Sequence, residues 1–232
     1  MTPKDPGAAS GRFSLDRFLR AHLSASDRLG ETLCGLVTVL TFTLVAGEEV
    51  DDGRKGVLQL LAATAACCVT WGLIDGVLYV LDAVANRARR SRLARAVRDT
   101  DDAEAVRLLR AEVETLLAAL GARDDDGHLI ATLKTSIERG AIPGPHLERG
   151  DWLGGIAIFV TQLMCLLPAV FPFMVLDEPR IALRVSNACL VLLLSGVAFQ
   201  WADEVGVGRL KAALVAGLLG AVLVAGSLLL SD

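Results

Sequence analysis

The sequence predicts an all-α integral membrane protein with five transmembrane helices and a small helical cytoplasmic insert between spans two and three. Three observations predict it. Of 232 residues, 53% are hydrophobic and the mean hydropathy is +0.51, more apolar than an ordinary soluble domain. Charged residues make up 22%, but they crowd into a few stretches and leave long apolar runs between them. Five runs approach the roughly 20 residues that a helix needs to cross hydrocarbon. Disordered chains and disulfide-rich secreted modules are excluded on composition. The net charge of −4 carries no basic excess and excludes a nucleic-acid partner.

The elements follow in order. Residues 1–29 form a polar N-terminal segment without the apolar core or cleavage site of a signal peptide. Within it, Ser14 is placed to cap a short helix whose Leu15, Phe18, Leu19, His22 and Leu23 share one face. That pattern predicts an amphipathic helix lying on the membrane. Residues 30–84 hold spans one (Gly30–Gly47) and two (Val57–Val84), joined by an acidic loop with Glu48, Glu49, Asp51 and Asp52. Residues 85–150 are the polar insert. Asp101 and Glu104 resemble a capping box, and Val106, Leu109, Val113, Leu116, Leu117 and Leu120 keep helical spacing after it. Gly121 and the 124–127 stretch end that helix, a shorter one covers His128–Glu138, and 141–145 is a linker. Residues 151–232 hold spans three (Trp152–Leu176), four (Ile181–Trp201) and five (Leu210–Leu230).

Charge sets the expected orientation. With the N-terminus in the cytoplasm and the C-terminus outside, 19 of the 23 Lys and Arg fall inside. Arg87, Arg89, Arg90, Arg92, Arg95 and Arg98 follow span two directly, and are expected to face anionic headgroups. The five cysteines (34, 67, 68, 165, 189) lie in apolar runs without CxxC spacing and read as reduced, buried side chains.

Ionisable groups within spans are costly and mark functional candidates. Glu31, Cys34, Gly35, Thr38 and Thr41 recur at helical spacing down one face of span one, with Asp27 a turn earlier. Asp75, Tyr79 and Asp82 share a face of span two. The acids of both spans lie toward the cytoplasmic half, where carboxylates, hydroxyls and a thiol can meet a divalent cation. Asp27, Glu31 and Asp82 can equally reach headgroups or arginines from their helix ends. Pro168 and Pro172 predict a bend in span three. Asn187 can hydrogen-bond across helices, Arg184 can reach Asp177 or Glu178, and Ala213, Gly217, Gly220 and Ala221 allow close packing of span five. The insert's acids, with His128 and His146, form no repeated Glu-x-x-His ladder and read as a solvated face. No Walker motif, Gly-rich nucleotide loop, zinc spacing or GxSxG elbow is present, so nothing points to an enzyme or to a tightly bound cofactor.

Three stretches carry a family resemblance. Gly35-Leu36-Val37-Thr38 looks like the end of an Asp-Gly-Leu-Val-Thr motif, Leu166 to Phe173 like a proline-containing third span, and Arg184-Val185-Ser186-Asn187 like the opening of a fourth. With five spans and an insert after the second, the chain resembles a divergent bacterial branch of the vacuolar iron transporter family. The resemblance implies a homodimer in the bacterial cytoplasmic membrane that exports Fe²⁺ or Mn²⁺ in exchange for protons. Cys34 stands where the family carries a metal-binding Asp, and the insert lacks its Glu-rich pattern. The expected path therefore runs between spans one and two. Asp75 and Glu31 bind cation or proton there, and Cys34, Thr38, Tyr79 and Asp82 line it. The alternative is a non-transporting scaffold of the same fold whose insert binds a partner or lipid.

Overall fold

The computed structural model describes residues 14–45, 53–119, 127–142, 144 and 146–230. The described helices are α1 (Leu15–His22), α2 (Ala25–Val45), α3 (Arg54–Asp99), α4 (Asp102–Ala119), α5 (His128–Arg139), α6 (Arg149–Met164), α7 (Leu167–Val175), α8 (Pro179–Val205) and α9 (Arg209–Leu230). No strand occurs among the described residues. Five stretches are long and apolar enough to cross a membrane: Ala25–Val45, Arg54–Asp99, Arg149–Val175, Pro179–Val205 and Arg209–Gly226. The chain is an all-α integral membrane protein. The expected end of span one at Gly47, the acidic loop after it, Leu120, Gly121 and residues 124–126 lie outside the described residues.

Two compact units divide the chain, residues 1–79 with 152–232, and residues 80–151. The first is built around α8. Its buried residues Ala182, Ser186, Leu190, Leu194, Ala198 and Ala202 repeat close to every fourth position, so one face runs the helix length. Leu36, Val39 and Leu40 of α2, Cys68 of α3, Cys165 and Ala169 of the third span, and Leu190 and Leu194 of α8 form one core. Ala216, Leu223 and Val224 of α9 pack against it. Thr43 of α2 donates to Oδ1 of Asn187 at 2.8 Å, so two buried polar groups satisfy each other between spans one and four. Arg184 is exposed and makes no ion pair among the described residues. The small residues of span five serve contact within the unit: a Cβ on Gly217 would meet Ser195 Oγ at 2.8 Å, and one on Gly220 would meet Val191 at 2.9 Å. A closer crossing joins α3 to α6. A Cβ on Gly76 would lie 2.7 Å from the Gly155 carbonyl oxygen.

Span three is two helices. The sequence places the bend at Pro168 and Pro172, but the break falls earlier, at Cys165–Leu166. Pro168 has no N–H for the Met164 carbonyl, and its ring crowds that turn. The chain tightens there into i→i+3 bonds, Cys165 N–H to Gln162 O and Leu166 N–H to Leu163 O, both 3.2 Å. The Cys165 thiol donates to the Thr161 carbonyl at 3.4 Å, the acceptor its own backbone N–H has left. Ser186 of α8 donates to the Ala169 carbonyl at 3.0 Å, beside the second proline. The thiol thus covers a backbone carbonyl that lipid cannot satisfy, and the serine ties α8 to α7.

The expectation for α1 is corrected. Its apolar face does not rest on lipid alone: Phe18, Leu19 and Leu23 pack on Ala157, Ile158 and Tyr79, leaving Leu23 only 4% exposed. Phe18 and Leu19 stay partly exposed, so the face α1 turns to α3 and α6 is shared with its surroundings. Ser14 is the N-cap residue but its side chain makes no cap bond. The cap formed by a side chain belongs to Ser24, whose Oγ accepts from the Asp27 N–H at 3.1 Å and starts α2 five residues before Gly30.

The second unit combines the last turns of α3 with α4 and α5. Span two does not end its helix at Val84, since α3 runs unbroken to Asp99. Val97, Ala105, Leu109, Val113 and Ile130 close a small core. Asp101 Oδ1 accepts the Glu104 N–H at 2.9 Å, one half of the expected capping box, while the Glu104 carboxylate turns to Arg107. Arg98 donates to the carbonyls of Ile137, Glu138 and Gly140 and so ties down the end of α5. Lys134 bridges Asp102 and Glu138. Its ammonium, hydrogen-bonded to Asp102, holds that carboxyl below its usual range. The bridge is complete above that range and fades as pH falls through the lowered value; being exposed, it contributes little.

The crossing at Gly76 carries a test. Gly76→Ala puts a methyl into backbone that cannot yield, and destabilises by about 1–3 kcal/mol. Gly196→Ala, which meets nothing within 4 Å, leaves the melting temperature equal or higher. Thermal unfolding of both variants in detergent checks the contrast.

Candidate functional site

The acid of span two does not stand alone. Asp75, half-buried on α3, accepts a hydrogen bond from Nε2 of Gln162 on α6 at 2.9 Å. Gln162 is fully buried, so it is the more fixed partner and holds the carboxylate in place. Half-buried Glu31 of α2 lies within electrostatic reach of Asp75, and so does Cys34, which is exposed rather than buried as expected. Three spans thus converge on one polar cluster inside the first unit.

Close approach makes the cluster possible. Gly35 faces the break in span three, and a Cβ there would sit 2.6 Å from both Cys165 Sγ and Gln162 Oε1. Gly72 is similarly filled by Phe159 and Gln162. The Cys165 thiol lies between the Thr161 carbonyl and the Thr32 carbonyl of α2, at 3.4 and 3.6 Å. Gln162 Oε1 has no partner; among the described residues it is the one buried side-chain oxygen or nitrogen left without a hydrogen bond. Such an orphan costs about 1–3 kcal/mol.

The expected residues divide. Asp75, Glu31 and Cys34 come together. Thr38 is half-buried and spends its hydroxyl on the Cys34 carbonyl at 2.9 Å, as helix hydroxyls commonly do. Thr41 is exposed. Tyr79 departs from the expected lining: its ring fills the space over Gly154, and its hydroxyl donates to the His22 carbonyl of α1 at 3.4 Å. Asp82 is exposed and belongs to the second unit. Pro168 and Pro172 both follow the break, in α7, and Pro172 is buried. Gln162 is the residue that sequence reading missed; a lone amide amid an apolar run was the available signal.

As they stand, no three His, Cys, Asp or Glu side chains among the described residues converge closely enough to hold a metal ion. In the second unit, Glu114 pairs with Arg110 at 3.8 Å while Glu112 lines a groove with Arg89 and Arg92, so these two acids do not act together. No protein-family model matches the chain, and no curated protein does either.

The basic cluster also divides. Arg89, Arg90, Arg92 and Arg95 are exposed and have no carboxylate partner among the described residues. Arg87 is corrected from the lipid-facing set. It forms a bidentate pair with the buried carboxylate of Asp151 at 2.9 and 3.1 Å, reaches Glu148 at 3.5 Å, and donates to the His146 carbonyl. The planar guanidinium suits that fork, which leaves it no free face for a headgroup.

Arg87 therefore acts as a structural tie. Arg87→Ala strands a buried carboxylate and lowers the melting temperature. Arg87→Lys recovers only part of the loss, because an ammonium cannot make both bonds. Differential scanning fluorimetry on the two variants checks the order.

Proposed function

We propose that the protein moves a divalent metal cation, Fe²⁺ or Mn²⁺, along a path between α2 and α3, as the resemblance to vacuolar iron transporters suggests. One observation carries the reading: Asp75, an acid within an apolar span, is held by a buried amide with Glu31 and Cys34 in reach. A charge at membrane depth is expensive, and its usual justification is an ion or proton pathway. Oxygen donors suit Fe²⁺ and Mn²⁺, whereas a soft sulfur favours later metals. Proton exchange needs only a carboxylate that is protonated in one state and metal-bound in the other. Asp75 and Glu31 take that role, and Cys34 and Thr38 line the path. In this reading the N-terminus is cytoplasmic, the C-terminus is outside and the working form is a homodimer. Tyr79 holds α1 over the α3–α6 surface rather than touching the ion.

A second reading is favoured by the other unit. It has its own core and four exposed, unpaired arginines along α3, a surface for anionic lipid or an acidic partner. On that reading the protein is a membrane scaffold that transports nothing.

Flux decides between them. Purified protein in liposomes, with a metal-sensitive dye inside and a pH gradient imposed, takes up Fe²⁺ or Mn²⁺. Asp75→Asn reduces uptake to that of empty vesicles while the fold is kept. Absence of flux above empty liposomes for the folded wild-type protein overturns the transporter and leaves the scaffold.

A further inference from the structure

The orphaned oxygen of Gln162 is held in a fixed orientation. Its amide cannot turn freely: Nε2 is committed to Asp75 at 2.9 Å, and the side chain is fully buried. That bond fixes where Oε1 points. It points at the missing Cβ of Gly35, beside a Cys165 thiol already given to the Thr161 and Thr32 carbonyls, and has no hydrogen-bond partner. Buried oxygens are normally satisfied, and one that is not calls for a donor, a water or a cation. Asp75 sits on the other end of the same amide, and Glu31 lies in electrostatic reach of Asp75. The field there favours a positive charge.

We propose that Gln162 Oε1 is a direct oxygen ligand for the transported cation, acting with Asp75 and Glu31. The proposal rests on the transporter reading and adds the broken third span to the path. The Asp75 carboxylate and the neutral amide oxygen then come from neighbouring spans, with Glu31 in electrostatic reach. Oxygen donors of that kind suit a hard to borderline divalent ion such as Mn²⁺ or Fe²⁺ over a soft monovalent one. The break supplies the geometry. The tight turn that Pro168 enforces follows Gln162 directly, and Gly35 lets α2 close on it. A single uncharged donor also serves turnover, because it adds coordination without adding charge that would hold the ion.

The test is Mn²⁺ binding by calorimetry to the full chain in lipid nanodiscs, with flux measured beside it. Wild type, Gln162→Leu, Gln162→Glu and Asp75→Asn are compared. Gln162→Leu is expected to weaken Mn²⁺ binding by about tenfold or more, at least the loss seen when a mere supporting partner of a ligand is removed. Gln162→Glu keeps an oxygen in place and is expected to retain binding. Wild-type affinity in Gln162→Leu, with binding lost in Asp75→Asn, overturns the ligand role and leaves the transporter standing. A folded wild type that neither binds nor moves Mn²⁺ overturns both. If Gln162→Leu does not fold, Gln162→Glu decides alone: retained binding supports the ligand, and lost binding in a folded variant overturns it.

Discussion

The absence of a side chain at Gly35 is the constraint on which the membrane unit depends. A methyl group there would collide with both Cys165 Sγ and Gln162 Oε1 at 2.6 Å. The first helical span would then stand off from the third, and the cluster around Asp75 would open. Helices in lipid gain little from the hydrophobic effect on meeting one another, so close packing carries more of their association. Gly35, Gly76 and Gly220 each mark such a contact, on α2, α3 and α9. The core of Leu36, Val39, Leu40, Leu190 and Leu194 fills what remains between them.

The break in span three answers a different problem. Two prolines in one apolar helix free carbonyls that hydrocarbon cannot satisfy. The response is local: a tightened turn, and a thiol on the Thr161 carbonyl that the shifted Cys165 N–H has left. Rearranging that turn places Gln162 and Cys165 together on the side facing α2. Chain geometry forced by proline and chemistry carried by glutamine are therefore one feature.

Much of this was legible in the residues. Five apolar runs gave five spans because hydrophobic length is a direct physical demand of the bilayer. Asn187 was legible as an interhelical partner, though not its partner Thr43, which sits off the polar stripe of α2. The helix extending past Val84 was not legible, because arginines are good helix formers and polarity alone does not end a helix. Tyr79 shares a helical face with Asp75, yet Gly154 and α1 draw its ring elsewhere. Arg87 looked like its neighbours until Asp151, 64 residues away in sequence, claimed it. Partners distant along the chain are what single-sequence periodicity does not encode.

A helix that crosses a membrane whole keeps both poles of its peptide dipoles in the headgroup region. Span three, cut at Cys165–Leu166, has two extra poles. The C-terminal carbonyls of α6 and the N-terminal amides of α7 meet within the apolar layer, where there is little solvent to screen them. Gln162 lies in the last turn of α6, at its electronegative end. The fold thus carries a standing electric field beside its buried acid, set by backbone alone and unaffected by any change of side-chain protonation.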